Sequence, residues 1–271
     1  MKMKIGVSTL LYEKEDIVTS VARIAESGVK TIELFCELAG FHPGKVTDET
    51  LDALASLAKD YGLTYSIHPP CKEINPASSD PSERARVIEE YIETIDLAIR
   101  LGIRDMVVHC GFKSNPDVSD GDAFDYARQT LKAVGKTAEQ AGIVMLLENT
   151  CWGATGFLDT PQDLLDLADA CPPSTKLLLD VGHAIIWGFN PTECARIWFP
   201  RLAQIHAHDN HGEHDEHLEL GKGIIDWREL LCFLKAESWD GVFMIEMGQQ
   251  EDSDAALVRS LDLVRTCLSR C

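Results

Sequence analysis

Basic side chains are scarce. Against 44 Asp and Glu the 271-residue chain sets 25 Lys and Arg, a formal net charge of −19. Such a surface repels polyanions over most of its area, so nucleic acid is an unfavourable partner unless a local basic patch offsets the field, and an anionic membrane is not expected as a partner. The nine cysteines (Cys36, Cys71, Cys110, Cys151, Cys171, Cys194, Cys232, Cys267 and Cys271) are odd in number and contain no C-x-x-C pair. That spacing excludes the usual zinc ribbon or dithiol redox motif and reads as reduced thiols in a cytoplasmic protein. No apolar stretch approaches the ~20 residues that cross a bilayer. The opening MKMKIGVSTL runs from two lysines straight into a strand-like segment without a small-residue cleavage site, so no leader is expected. Linkers rich in Ser, Pro or one charge are missing as well, which argues for one domain over residues 1–271. The sequence carries no reading on association between chains.

What is present is a repeat. With 45% hydrophobic residues the chain can bury a large core. Short apolar runs alternate with longer amphipathic stretches: KIGVST (4–9), TIELFC (31–36), TYSIH (64–68), DMVVHC (105–110), VMLLEN (144–149), KLLLDV (176–181), QIHAH (204–208) and VFMIEM (242–247). Between them, 81–100 carries Val87, Ile88, Tyr91, Ile92, Ile95, Leu97, Ala98 and Ile99 at helical spacing, and 122–141 reads as a second long helix. Gly28, Gly62, Gly102 and Gly142 stand where a left-handed residue closes a helix. Eight units of this kind predict an α/β fold, a single closed (β/α)₈ TIM barrel, in preference to two doubly wound domains.

Barrel strands should be apolar, yet these end in His68, His109, Glu148, Asp180 and Glu246, with His206 inside the seventh run and His183 three residues after Asp180. The following loop adds Asp215 and His217. In this architecture the carboxyl ends of the strands form one mouth, so residues distant in sequence converge there. One histidine at a strand tip is more often a capping or hydrogen-bonded core group than a ligand. The set together points to divalent cations, because imidazoles and carboxylates are ligands for ions such as Zn²⁺ and Mn²⁺ and clustered buried carboxylates without a cation would be forced to take up protons. Glu148, Asp180, Asp215 and Glu246 bring four negative charges; one divalent ion leaves two of them and two ions neutralise all four. His208 and Asp215 are the weakest members, the first because it shares a strand face with His206 and the second because its loop is rich in acid. Trp152, Trp187 and Phe189 follow strand ends and offer aromatic faces to a sugar, or merely pack the rim. Lys222 and Lys72 are candidate phosphate contacts or ordinary solvated lysines, and Asn149 and Asn210 are placed to brace ligands.

The segments IHPP…INPASSD, VVHCG, LLENT, LLLDVGHAIIWGFNP, IHAHDN, DEHLELGKGIIDW and FMIEMG resemble, over nearly the whole chain, the xylose-isomerase-like TIM-barrel superfamily that joins sugar-phosphate isomerases and epimerases to endonuclease IV. The resemblance implies two uses of the same positions. In the epimerase branch Glu148, Asp180, His206 and Glu246 would hold one ion, commonly Mn²⁺, with Glu148 and Glu246 moving protons and His183 touching substrate. In the endonuclease IV branch His68, His109, Glu148, Asp180, His183, His206, Asp215, His217 and Glu246 would hold three zinc ions that activate water against a phosphodiester. That branch places a tyrosine and an apolar wedge after the first histidine, where this chain reads Pro69-Pro70-Cys71-Lys72-Glu73. The expectation is therefore a metal-dependent sugar or sugar-phosphate isomerase/epimerase holding one to three Zn²⁺ or Mn²⁺ ions, with a zinc phosphodiesterase and a non-catalytic sugar- or metal-binding barrel as the other readings.

Overall fold

Each of the eight apolar runs forms a strand in the computed structural model, which describes residues 3–38, 40–151 and 153–271. The strands are β1 (Lys4–Ser8), β2 (Thr31–Phe35), β3 (Thr64–His68), β4 (Asp105–His109), β5 (Val144–Glu148), β6 (Lys176–Asp180), β7 (Leu202–Ala207) and β8 (Val242–Ile245). Every strand pairs in parallel with the next, and β1 pairs with β8 to close the barrel. The connecting helices are α1 (Ile17–Glu26), α2 (Asp48–Tyr61), α3 (Pro81–Leu101), α4 (Asp120–Gln140), α5 (Pro161–Asp169), α6 (Val181–Ile186), α7 (Pro191–Trp198), α8 (Trp227–Ala236) and α9 (Ser253–Arg270).

Local chemistry explains the long helices. Asp80 caps α3 by accepting from Ser82 N at 2.8 Å, Pro81 occupies the first turn, and Gly102 ends the helix at φ 67°. That left-handed conformation is disfavoured for a residue with a Cβ.

Alternation along the strands decides what reaches the site. Met106, Val108, Met145, Leu147, Leu177 and Leu179 face outward into the large helix-packed core. The intervening Val107, Leu146 and Leu178 form a separate small cluster inside the barrel. With a side-chain period of two, the next inward positions are His109, Glu148 and Asp180. Cys110 consequently points away from the site, buried, with its thiol on the Glu148 carbonyl at 3.2 Å.

The cysteines require a correction. Cys232 on α8 and Cys271 at the end of α9 form a disulfide, with Cα atoms 5.2 Å apart. The expectation of nine reduced thiols fails because α8 and α9 pack side by side, which brings together residues 39 apart in the chain. Cys36, Cys71, Cys110, Cys151, Cys171, Cys194 and Cys267 are free. Among the described residues no helix is long and apolar enough to cross a membrane.

Candidate active site

A cavity of about 340 Å³ opens at the carboxyl ends of the strands, with His68, His109, Glu148, His183, Asp215 and Glu246 on its wall. A larger cleft of about 450 Å³ lies at the opposite end of the barrel beside Lys4, Lys30 and Arg265, and it has no such donor set. The nine sequence-predicted ligands gather at the first cavity as three adjoining groups, in each of which the donor atoms lie within 4.8 Å of one another; Asp180 and His206 are buried beneath its wall. Glu148, Asp180, His206 and Glu246 form the buried base. His183, Asp215 and His217 are joined by His208 on one side, and His68 and His109 by Cys71 on the other. Glu148 links the groups: Oε2 is 3.0 Å from His109 Nε2, and Oε1 is 3.5 Å from both His183 Nδ1 and His206 Nδ1.

The backbone fixes how three imidazoles face the cavity. His68 Nδ1 lies 2.8 Å from the Pro69 carbonyl, His183 Nδ1 2.9 Å from the Asn149 carbonyl, and His217 Nδ1 2.8 Å from the Glu246 carbonyl. A carbonyl accepts and cannot donate, so each Nδ1 carries hydrogen and each Nε2 is left for the cavity. His206 is turned the other way: Nδ1 faces Glu246 at 3.0 Å, while Nε2 faces the Glu33 carboxylate at 3.2 Å. Of the two asparagines, Asn149 holds the backbone of a predicted ligand and Asn210 holds the neighbouring turn. Asn149 holds the Asp180 backbone through both of its amide atoms, at 2.9 and 2.8 Å, and Asn210 donates to the Gly182 carbonyl at 3.0 Å. Asp180 caps α6 through His183 N at 2.6 Å, which sets the two side chains' relation.

Burial alone would push the Glu148, Asp180 and Asp215 carboxyls up, but the neighbouring histidines outweigh it and hold all three below the usual carboxylate range. The converse holds for His183 and His206, which burial lowers and the facing carboxylates lift well above the ordinary histidine value, and His217 is raised to about 9. His68 is lowered, by burial and then by His109. In this arrangement the facing imidazoles, raised by the acids, favour holding the protons over the carboxylates, which the same imidazoles lower against the effect of burial. A divalent cation fits the same place. Glu148 Oε2 and His206 Nδ1 are buried without a directed hydrogen bond, and the donor set is the imidazole and carboxylate mixture that borderline ions take.

The sequence missed Glu33. This carboxylate is 0% exposed inside the barrel, and its Oε2 accepts from Gln204 at 2.7 Å and Ser66 at 3.3 Å while facing His206. The signal was an acid in the middle of an otherwise apolar strand, one pleat repeat below the tips. His208 does not compete with His206: both point inward, but His208 stands one repeat higher and reaches Asp180 at 3.0 Å. Trp187 packs edge-on against Phe189 and lines a small neighbouring cleft, and Lys222 is exposed away from the cavity. Lys72 is the one Lys or Arg among the described residues of the cavity wall. Trp152 lies outside the described residues.

Residues 21–267 match the family model for the xylose isomerase-like TIM barrel. The chain belongs to that family. This xylose isomerase-like barrel is 31% identical to an uncharacterized protein of Methanocaldococcus jannaschii over 99% of this chain and 90% of the relative. It is 27% identical to a probable endonuclease 4 of Thermoplasma acidophilum, covering 76% of this chain and 75% of that protein. Among solved structures it superimposes on a D-tagatose 3-epimerase-like protein with a TM-score of 0.85 at 29% identity, covering 97% of this chain and 99% of the other. A D-psicose 3-epimerase shares the fold at TM-score 0.81 and 18% identity, covering 98% of this chain and 99% of its own.

Proposed function

We propose that this barrel is a divalent-metal-dependent isomerase or epimerase acting on a small sugar or sugar phosphate. The observation that carries the reading is the buried group of Glu148, Asp180, His206 and Glu246 at the base of a cavity of about 340 Å³, in the range of a site for one small molecule. The similarity to a D-tagatose 3-epimerase-like structure supports it. Zn²⁺ or Mn²⁺ held by these four residues would polarise a carbonyl and its neighbouring hydroxyl and so acidify the C–H bond between them. Glu148 and Glu246, from β5 and β8, then supply the two carboxylates that the proton transfer needs, one taking the carbon-bound proton and the other returning it through an enediolate. His183 stands at the wall with Nε2 3.1 Å from Asp215 and orients substrate oxygen by hydrogen bonding. Leu10 and Phe35 on the wall meet the C–H face of a sugar, and Lys72 provides charge for one phosphate.

The test is solvent exchange. Candidate ketoses and their phosphates incubated in D₂O with Mn²⁺ or Zn²⁺ should take up deuterium at a carbon next to the carbonyl, and Glu148→Gln or Glu246→Gln should slow this by about 10²- to 10⁴-fold. No label across the panel overturns the proposal. A second reading is favoured by one specific observation: three donor groups adjoin through Glu148, which suits more than one ion and water-dependent cleavage of a phosphodiester. Cleavage of an abasic-site duplex that disappears in Glu148→Ala would install that reading in place of the first.

A further inference from the structure

We propose that the Cys71 sulfur is a cation ligand, completing with His68 and His109 a soft nitrogen–sulfur site above the oxygen-rich base of the cavity. The inference rests on the reading that this cavity holds divalent ions, and it adds to that reading a residue and an ion preference. Cys71 Sγ and one ring nitrogen each of His68 and His109 lie within 4.8 Å of one another. In a tetrahedral zinc site with bonds of about 2.0 Å to nitrogen and 2.3 Å to sulfur the ligand atoms are about 3.5 Å apart, so the group has to close by about 1 Å at most to hold an ion.

The chain is built to hold the sulfur there. Glu37 Oε1 accepts from both Cys71 N and Lys72 N at 2.8 Å, which pins the turn after Pro69 and Pro70. The same turn takes the His68 Nδ1 proton on the Pro69 carbonyl, so one short segment orients two donors. A second, independent observation points into the group: Glu148, with a side chain 2% exposed, has Oε2 without a directed hydrogen bond, 3.0 Å from His109 Nε2 and 3.9 Å from His68 Nε2. On this proposal it would be the fourth donor, shared with the base of the cavity. The sulfur's present neighbour is Glu37 Oε2 at 3.9 Å, the outer limit for a thiol donor. Cys36, Cys110 and Cys194 are buried in packing, whereas Cys71 and Cys151 line the cavity.

Binding exchanges one proton for one cation: Cys71–SH plus M²⁺ gives Cys71–S⁻ bound to M²⁺ plus H⁺ released to solvent, with no change of oxidation state. Thiolate selects Zn²⁺ or Co²⁺ over Mn²⁺ or Mg²⁺. The cavity thus offers two kinds of site, an outer one for softer ions and a base that accepts harder ones.

The experiment uses the full chain freed of metal and titrated with Co²⁺. A near-ultraviolet sulfur-to-cobalt charge-transfer band is expected in the native protein and in Cys151→Ser, and its loss is expected in Cys71→Ser while the visible cobalt bands from the other donors remain. Visible bands without a charge-transfer band in the native protein, or a band that persists in Cys71→Ser, overturn the assignment of Cys71 and leave the metal reading intact. No cobalt bands of either kind overturn both. A second measurement needs no variant: alkylation of Cys71 by iodoacetamide, followed by mass spectrometry, should slow about tenfold or more with Zn²⁺ and little with Mn²⁺. Equal protection by the two ions, or none, counts against the proposal.

Discussion

The residue that best shows how this barrel prepares a site is Glu33, a carboxylate with no exposed surface. It meets His206 on the nitrogen turned away from Glu246, so His206 is held between two acids. A carboxylate on the far nitrogen fixes the ring and makes the near nitrogen a better ligand. Glu33→Ala is expected to lower metal affinity by about 10- to 100-fold, measured by chelator competition, with Glu33→Gln recovering stability more than affinity. Loss of the acceptor also removes a hydrogen bond from Ser66 and one from Gln204, whose Nε2 keeps His206 Nε2 at 3.0 Å, at a cost of about 1–3 kcal/mol for a group left unpaired. Unchanged metal affinity in Glu33→Gln would reduce the residue to a packing role. Its absence from the sequence reading has a physical cause. The strand tips are legible because polar side chains interrupt apolar runs where a barrel opens, while an acid at mid-strand reads as noise unless its partner across the barrel, here Gln204 on β7, is already known.

Among the elements, the connection from β7 to α8 carries Asp215 and His217, and its shape comes from one buried acid. Asp209 accepts from Gly221 N at 2.8 Å and Trp227 Nε1 at 2.9 Å, and its backbone pairs both ways with Leu218 at 3.0 and 2.9 Å. Gly223 passes so close that an added Cβ would stand 2.1 Å from the Asn210 carbonyl oxygen and 2.3 Å from Asp209 Oδ1, both fixed atoms. Gly223→Ala should therefore cost about 1–3 kcal/mol in thermal unfolding. It should also lower the number of ions bound per chain by displacing Asp215 and His217, with the ion at the base retained. An unaltered stoichiometry would separate this loop from the metal site. The element scale was the most readable from sequence, since strand period, helix caps and glycine stops agree locally with the barrel they build. Contacts between elements were not. The Cys232–Cys271 bond depends on how α8 and α9 lie side by side, and spacing of 39 residues carries no trace of it.

At the scale of the whole molecule part of the net charge of −19 gathers at the carboxyl end of the barrel, where Glu148, Asp180, Asp215 and Glu246 converge with Glu33 buried beneath them, one acid more than the four that the strand ends and loop offer. Protons on His183, His206 and His217 offset them in the metal-free protein, so stability should follow pH with a definite sign. A histidine raised in the folded state stabilises fully below its unfolded value near 6.5, and that contribution is lost as pH rises through the folded value. For His217, raised to about 9, the loss falls between about pH 6.5 and 9 and amounts to something on the order of 3 kcal/mol. The depressed carboxylates act elsewhere: Glu148, Asp180 and Asp215 contribute above the unfolded carboxylate range and lose that contribution only as pH falls through their folded values. Burial raises the Cys36 and Cys110 thiols, which adds to the loss at alkaline pH. The chelated protein should therefore melt about 5–10 °C lower at pH 9.5 than at pH 7. Protein refilled with Zn²⁺ should hold its midpoint over the same interval, because the cation takes the place of the protons. Differential scanning calorimetry of the two forms decides it, and a chelated form that melts at one temperature across this range would mean that the imidazoles at the mouth do not carry the compensating charge.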